Sequence, residues 1–245
     1  MKLQDPKFKE ALQLLEKWNK ADRINFFKKW TSKHFLLFYF YYYPDDFNSL
    51  LADFHYDWLD SIHSDINTMI EGFRWSAKTS LTIASIIYFI CIKKYNFIVW
   101  QSYESKASTR NTTQIALKLM NKKLESDYWV LFATWWKRDE LEKRSVSDFD
   151  TSNWIKILSA SLWEKLRWAL HKNTRIDLLI LDDIDITDSV KNPEIIQKNY
   201  EKITWETFWA LSKERSKIIF LWNTINQDWI VPRFRKEKKD IWEQR

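Results

Sequence analysis

A lysine and a threonine open an apolar helix, and about 100 residues later two aspartates close an apolar strand. Those residue types, in that order, can bind a phosphate and help to split it. The stretch Gly72-Phe73-Arg74-Trp75-Ser76-Ala77-Lys78-Thr79-Ser80 follows the pattern G-x-x-x-x-G-K-[ST], except that Ala77 replaces the second glycine. The chemistry needs backbone amides that converge on phosphate oxygens at a helix N-terminus. It also needs a lysine that reaches the β and γ oxygens and a hydroxyl for Mg2+, the positions held by Lys78 and Thr79. Taken alone, the pattern also fits a lysine on an ordinary helix start.

The run Leu178-Leu-Ile-Leu-Asp182-Asp183-Ile-Asp185 delivers carboxylates at the end of an apolar strand. Ligands of open α/β sheets bind at that edge. Asp182 is expected to hold Mg2+ through water, and Asp183 to orient or deprotonate the attacking water, with Asp185 as its alternative. A third apolar run, Lys217-Ile-Ile-Phe-Leu-Trp222-Asn223-Thr224, ends in polar residues. Beside the carboxylate strand it would bring Asn223 and Thr224 close to the γ-phosphate. By itself it reads equally as a core strand with a polar turn.

The elements that must position these groups alternate along the chain. Residues 1–33 read as polar helix, with Phe8, Leu12 and Leu15 at helical spacing. The aromatic run His34 to Tyr43 is core, as helix or strand, and stops at Pro44; residues 45–65 look helical. Strands are expected at Thr68–Glu71, Asn96–Gln101, Val130–Thr134, Ile155–Ser159, Asp177–Asp182 and Lys217–Leu221. Helices are expected at Thr79–Lys93, Glu104–Lys123 and Pro193–Lys213, the last with proline in its first turn. Such alternation predicts an α/β fold: a three-layer sandwich around a mainly parallel sheet. A helical N-terminal segment, residues 1–60, would precede the main domain, residues 61–245.

Composition sets the outer limits. A chain of 245 residues with 45% hydrophobic content can bury a substantial core. The lone cysteine, Cys91, excludes an internal disulfide and fits a reducing compartment. The charged opening Met1 to Lys20 does not read as a signal peptide, and the longest apolar run, Leu81 to Ile92, is too short for a bilayer span of about 20 residues. The net charge of +6 suits a nucleic-acid partner and equally a lysine-rich surface.

One ratio is abnormal. The chain has one glycine, Gly72, and 16 tryptophans, whereas ordinary usage of about 7% glycine would give roughly 17. The codon UGA is a stop in the standard genetic code and encodes tryptophan or glycine in variant codes. The matched deficit and surplus predict that most of these tryptophans are glycine codons. Trp75 inside the loop, Trp222 following a strand at a turn, and Trp135-Trp136 and Trp154 in expected hairpin turns are positions where glycine's backbone freedom is wanted.

With tryptophan read as glycine, the loop becomes Glu-Gly-Phe-Arg-Gly-Ser-Ala-Lys-Thr-Ser. The segment Leu166-Arg167-Trp168 becomes L-R-G ahead of the acid-terminated strand, and the third run becomes L-G-N-T. These stretches resemble the ATPase motifs of phage large terminase subunits over roughly residues 50–235. His55-Tyr56-Asp57-Trp58 is similar to the segment preceding the family's nucleotide loop, with a genuine tryptophan. The resemblance implies a P-loop NTPase that uses ATP and Mg2+ to drive double-stranded DNA into a procapsid. It implies portal protein and small terminase subunit as partners, a homo-oligomeric ring on the portal, and the cytoplasm of an infected bacterium. It gives Arg74 the role of a cis-acting arginine at the γ-phosphate, and Arg167 a weaker nucleotide- or DNA-responsive one. The family usually carries glutamate where Asp183 stands. It also carries a C-terminal nuclease domain, which this chain, ending at Arg245, is expected to lack, so no nuclease activity is expected. Another P-loop ATPase acting on nucleic acid, and an inactive terminase fragment, remain alternatives.

Overall fold

The computed structural model describes residues 5–29, 31–46, 51–129, 131–132, 146–184, 192–223 and 233–234. Its centre is one six-stranded sheet. The strands are β1 (Thr68–Glu71), β2 (Phe97–Ser102), β3 (Asp148–Asp150), β4 (Lys156–Ser161), β5 (Leu178–Asp182) and β6 (Lys217–Trp222). Their order across the sheet is β1-β6-β5-β2-β4-β3, and every pairing is parallel except β3 with β4. Successive side chains alternate between faces. Ile98, Trp100, Leu178, Ile180, Ile219 and Leu221 pack on one side, while Phe97, Val99, Leu179, Leu181, Ile218 and Phe220 pack on the other. Both faces are covered by helices, which is why these strands read as continuous apolar runs.

The first face is covered by α5 (Lys78–Ile92), a helix that is apolar on all sides and must therefore lie inside. Outside it lie α1 (Pro6–Lys17), α2 (Lys20–Phe27), α3 (Ser32–Tyr42) and α4 (Asp53–His63). Phe35 and Phe38 of α3 pack on Tyr88 of α5 at centroid distances of 5.9 and 5.0 Å. The aromatic run is thus a buried helix, and the N-terminal helices share one core with α5 and the sheet. On the same side follow α6 (Ser105–Leu119) and α7 (Lys122–Tyr128). The opposite face carries α8 (Pro193–Glu201), which continues as a π-helical turn, Lys202–Thr207, and a 3-10 turn, Phe208–Ala210.

Capping residues explain where the observed helices depart from the expected ones. Residues 1–33 hold two helices because the Asn19 side chain accepts from Asp22 N–H and starts a new one. Asn121 likewise accepts from Lys123 and Leu124 N–H and splits the expected Glu104–Lys123 helix. The helix expected over Pro193–Lys213 loses regular α geometry after Glu201 and ends at Ala210. Of the strand expected at Val130–Thr134, only Leu131 and Phe132 are described, and they form a bend; β3 pairs with β4 instead. Among the described residues, no helix is long and apolar enough to cross a membrane.

At the amino end of β6, Lys217 is almost wholly buried. Its ammonium donates to the carbonyls of Ser61 and Ile62, both at 2.8 Å, and to that of Ser64. These carbonyls close α4, where main-chain donors run out; the one at Ser61 also accepts from Ser64 N–H at 3.3 Å and from the hydroxyls of Ser64 and Thr68 at 2.8 and 2.9 Å.

Candidate phosphate-binding site

The carboxyl ends of β1, β5 and β6 meet. Glu71 is opposite Trp222, Asp182 is opposite Leu221, and Gly72 N–H donates to Trp222 O at 3.1 Å. Above this edge opens a cavity of about 420 Å³. It is lined by Arg74, Trp75, Ser76, Ala77, Lys78, Thr79 and Ser80 of the loop and α5, by Asp182, Asp183 and Asn223 after the strands, and by Arg110 of α6.

The loop backbone twice enters the left-handed region, at Trp75 (φ 70°) and at Ala77 (φ 61°). For an L-residue with a Cβ this costs about 1–3 kcal/mol. Ala77 stands where the motif has its second glycine, and its conformation accounts for that preference. The Trp75 indole is 96% exposed. It therefore projects to solvent at the cavity rim and does not fill the loop, so its penalty lies in the backbone. Gly72 answers to a different demand: a Cβ there would meet Trp58 Cη2 at 2.7 Å and Ser76 Oγ at 2.9 Å. His55, one turn before Trp58, bonds through Nε2 to Ser76 O at 3.0 Å, so α4 braces the loop from outside.

Lys78 Nζ faces four oxygens with three protons. Gly72 O lies at 2.9 Å, Phe73 O at 3.0 Å, Ser76 Oγ at 3.1 Å and Asn223 Oδ1 at 2.9 Å. Asn223 extends the chain by donating Nδ2 to Asp183 Oδ1 at 2.9 Å. Thr79 donates its hydroxyl to Asp182 Oδ2 at 3.3 Å, and Asn111 of α6 donates Nδ2 to the same oxygen at 3.2 Å. Asp183 has φ 49°; this sharp turn keeps two successive carboxylates at one strand end, and such outliers cluster at functional sites.

Electrostatics follow from burial. Burial pushes the Asp182 carboxyl up to about 7; the Asp183 charge adds to this and the Thr79 hydrogen bond opposes it. Burial also lowers the Lys78 ammonium from its usual range, opposed by Asp183 and Asp182. A carboxylate and a hydroxyl that share one point are hard oxygen donors of the kind Mg2+ accepts. Among the described residues no group of three or more His, Cys, Asp or Glu side chains gathers as a cation cage.

Phe73 contributes its carbonyl to Lys78 while its ring is 66% exposed. Arg167 lies on an exposed 3-10 turn, with its guanidinium 5.6 Å from the Trp168 ring, and does not line the cavity. Asp185 and Thr224 lie outside the described residues, as do Trp135 and Trp136. Arg110 and Asn111 had no signal in spacing: an arginine and an asparagine in a polar helix look like surface until the helix is docked.

Three of the described tryptophans adopt the left-handed backbone region, while Trp18, Trp163, Trp168, Trp205 and Trp209 are exposed without it. Trp75, Trp129 and Trp154 have positive φ of 70°, 64° and 72° and are 96%, 77% and 66% exposed. Trp154 occupies the expected turn, between β3 and β4. Trp222 corrects the sequence reading: it is the last residue of β6 and packs in the core at 7% exposure, and it does not sit in a turn. Trp100 of β2 is fully buried as well. No protein-family model matches the chain, and no curated protein is detectably similar to it in sequence.

Proposed function

We propose that this chain is a P-loop ATPase domain that hydrolyses ATP with Mg2+ and couples hydrolysis to translocation of double-stranded DNA, as in phage large terminase subunits. The nucleotide part of this reading is carried by one observation: Lys78, Thr79, Asp182, Asp183 and Asn223 line one cavity where an α-helix begins. Lys78, released from the loop carbonyls, would neutralise the β and γ oxygens. Thr79 and Asp182 would hold Mg2+, whose charge offsets that developing on the phosphates. Asp183, which accepts a hydrogen bond from Asn223, would take the proton of an attacking water, with Asp185 as the alternative. Arg74, exposed on the loop and lining the cavity, would add positive charge at the γ-phosphate.

The translocation part rests on the motif resemblance and on the net charge of +6. With it go the portal protein and small subunit as partners, a ring of copies, and the cytoplasm of an infected bacterial cell. The left-handed backbone at Trp75 supports the further reading that the chain in its present sequence binds nucleotide weakly. ATP turnover with and without double-stranded DNA is the test. Lys78→Ala abolishes turnover, whereas Asp183→Asn retains nucleotide binding and blocks hydrolysis. Unimpaired hydrolysis by Asp183→Asn moves the base role to Asp185, and unimpaired turnover by Lys78→Ala refutes the reading.

A further inference from the structure

We infer that Arg110 is a phosphate-contacting residue that distinguishes a bound nucleoside triphosphate from the diphosphate. The inference rests on the nucleotide reading of the cavity and adds to it a cation from outside the loop. The helix around Arg110 is fixed to the sheet on both sides in sequence. Thr109 Oγ1 lies 3.0 Å from Ser159 Oγ of β4, Asn111 Nδ2 donates to Asp182 Oδ2 at 3.2 Å, and the Thr112 hydroxyl donates to Val146 O. Asn111 is only 4% exposed. Between these anchored neighbours, Arg110 is exposed and lines the cavity.

Two features give that guanidinium a direction. It makes no hydrogen bond or ion pair among the described residues, although two carboxylates line the same cavity. An exposed arginine that lines a cavity and has no partner among the described residues is available to an anion. It also comes from a different element: α6, which is bonded to Asp182 through Asn111, whereas the cations Arg74 and Lys78 belong to the loop and the start of α5. In the nucleotide reading the carboxylates act at the cleaved bond, so a cation on the helix tied to Asp182 would meet the terminal phosphate. A guanidinium presents a planar fork that bonds two oxygens of one phosphoryl group. Removal of the γ-phosphate would remove its partner.

The test is titration of the full chain with a non-hydrolysable ATP analogue and with ADP, each with Mg2+, for wild type, Arg110→Gln and Arg110→Lys. Arg110→Gln is expected to weaken analogue binding about tenfold or more, the size of one charged hydrogen bond, and to leave ADP binding within about twofold. Arg110→Lys, which keeps the charge and loses the fork, falls between the two. Equal weakening for both nucleotides, loss of ADP binding, or no change for the analogue overturns the role of Arg110 alone. A wild-type chain that binds neither nucleotide overturns the nucleotide reading itself.

Discussion

Two buried lysines mark opposite ends of β6. Lys217 opens the strand and is 1% exposed; Lys78 is 7% exposed and reaches Asn223, just past the strand's last residue. Each ammonium is bonded to backbone carbonyls and each is destabilised by burial. Their surroundings differ. Lys217 meets three carbonyls that end a helix, and is almost wholly shielded from solvent. Lys78 is shared among four oxygens on a strained loop, beside two carboxylates and open space. The first arrangement satisfies groups that would otherwise be orphaned and belongs to stability. The second leaves a cation that, in the proposed reading, a better anion would take over in binding.

Exchange of the two lysines for methionine should separate these roles. Lys217→Met removes the donor shared by the Ile62 and Ser64 carbonyls at the end of α4 and should lower unfolding free energy by about 2–4 kcal/mol. Lys78→Met should change it by less than about 1 kcal/mol, since solvent in the cavity can reach the loop carbonyls. Denaturant titration of both variants checks this, and similar losses would erase the distinction. A pH series sharpens it. Burial, aided by Lys94, brings the Lys217 pKa down to about 7 from the ordinary 10.5. Between those values the unfolded chain holds the proton more tightly than the folded one, so Lys217 makes stability rise as pH climbs through that window. Lys217→Met should lack that part of the rise.

A smaller effect is expected on the loop side. Trp75→Gly relieves the left-handed backbone, a strain of about 1–3 kcal/mol, and should tighten nucleotide binding roughly tenfold to hundredfold. Equal affinities would mean that the loop tolerates tryptophan at φ 70° without penalty. The gene offers a parallel check: UGA codons are expected at Trp75, Trp129 and Trp154, and UGG at all three would remove the glycine explanation.

Much of the sheet and of the site's polar edge was legible because it obeys local rules. An apolar strand ending in Asp182, and an apolar helix opened by Lys78 and Thr79, each declare their type over a few residues. The helix breaks at Asn19 and Asn121 were missed because a single capping side chain outweighed a continuous polar pattern. Strand β3 was missed because three residues, Asp148–Asp150, gain their conformation only from pairing with β4. Trp222 was misread because adjacency to a polar turn hid its core packing. Arg110 and Asn111 could not be read at all, since their meaning comes from docking α6 across β4 and β5. Local chemistry announces itself in sequence; contributions brought in by tertiary packing do not.

The central claim is that the cavity binds ATP through Lys78. Its most direct test is calorimetric titration of wild type and Lys78→Ala with Mg-ATP, with melting curves to show that both are folded. The account predicts saturable one-to-one binding by wild type, weakened at least about tenfold by Lys78→Ala at unchanged melting temperature. Equal affinity in the two chains, or no binding by a folded wild type, would contradict it.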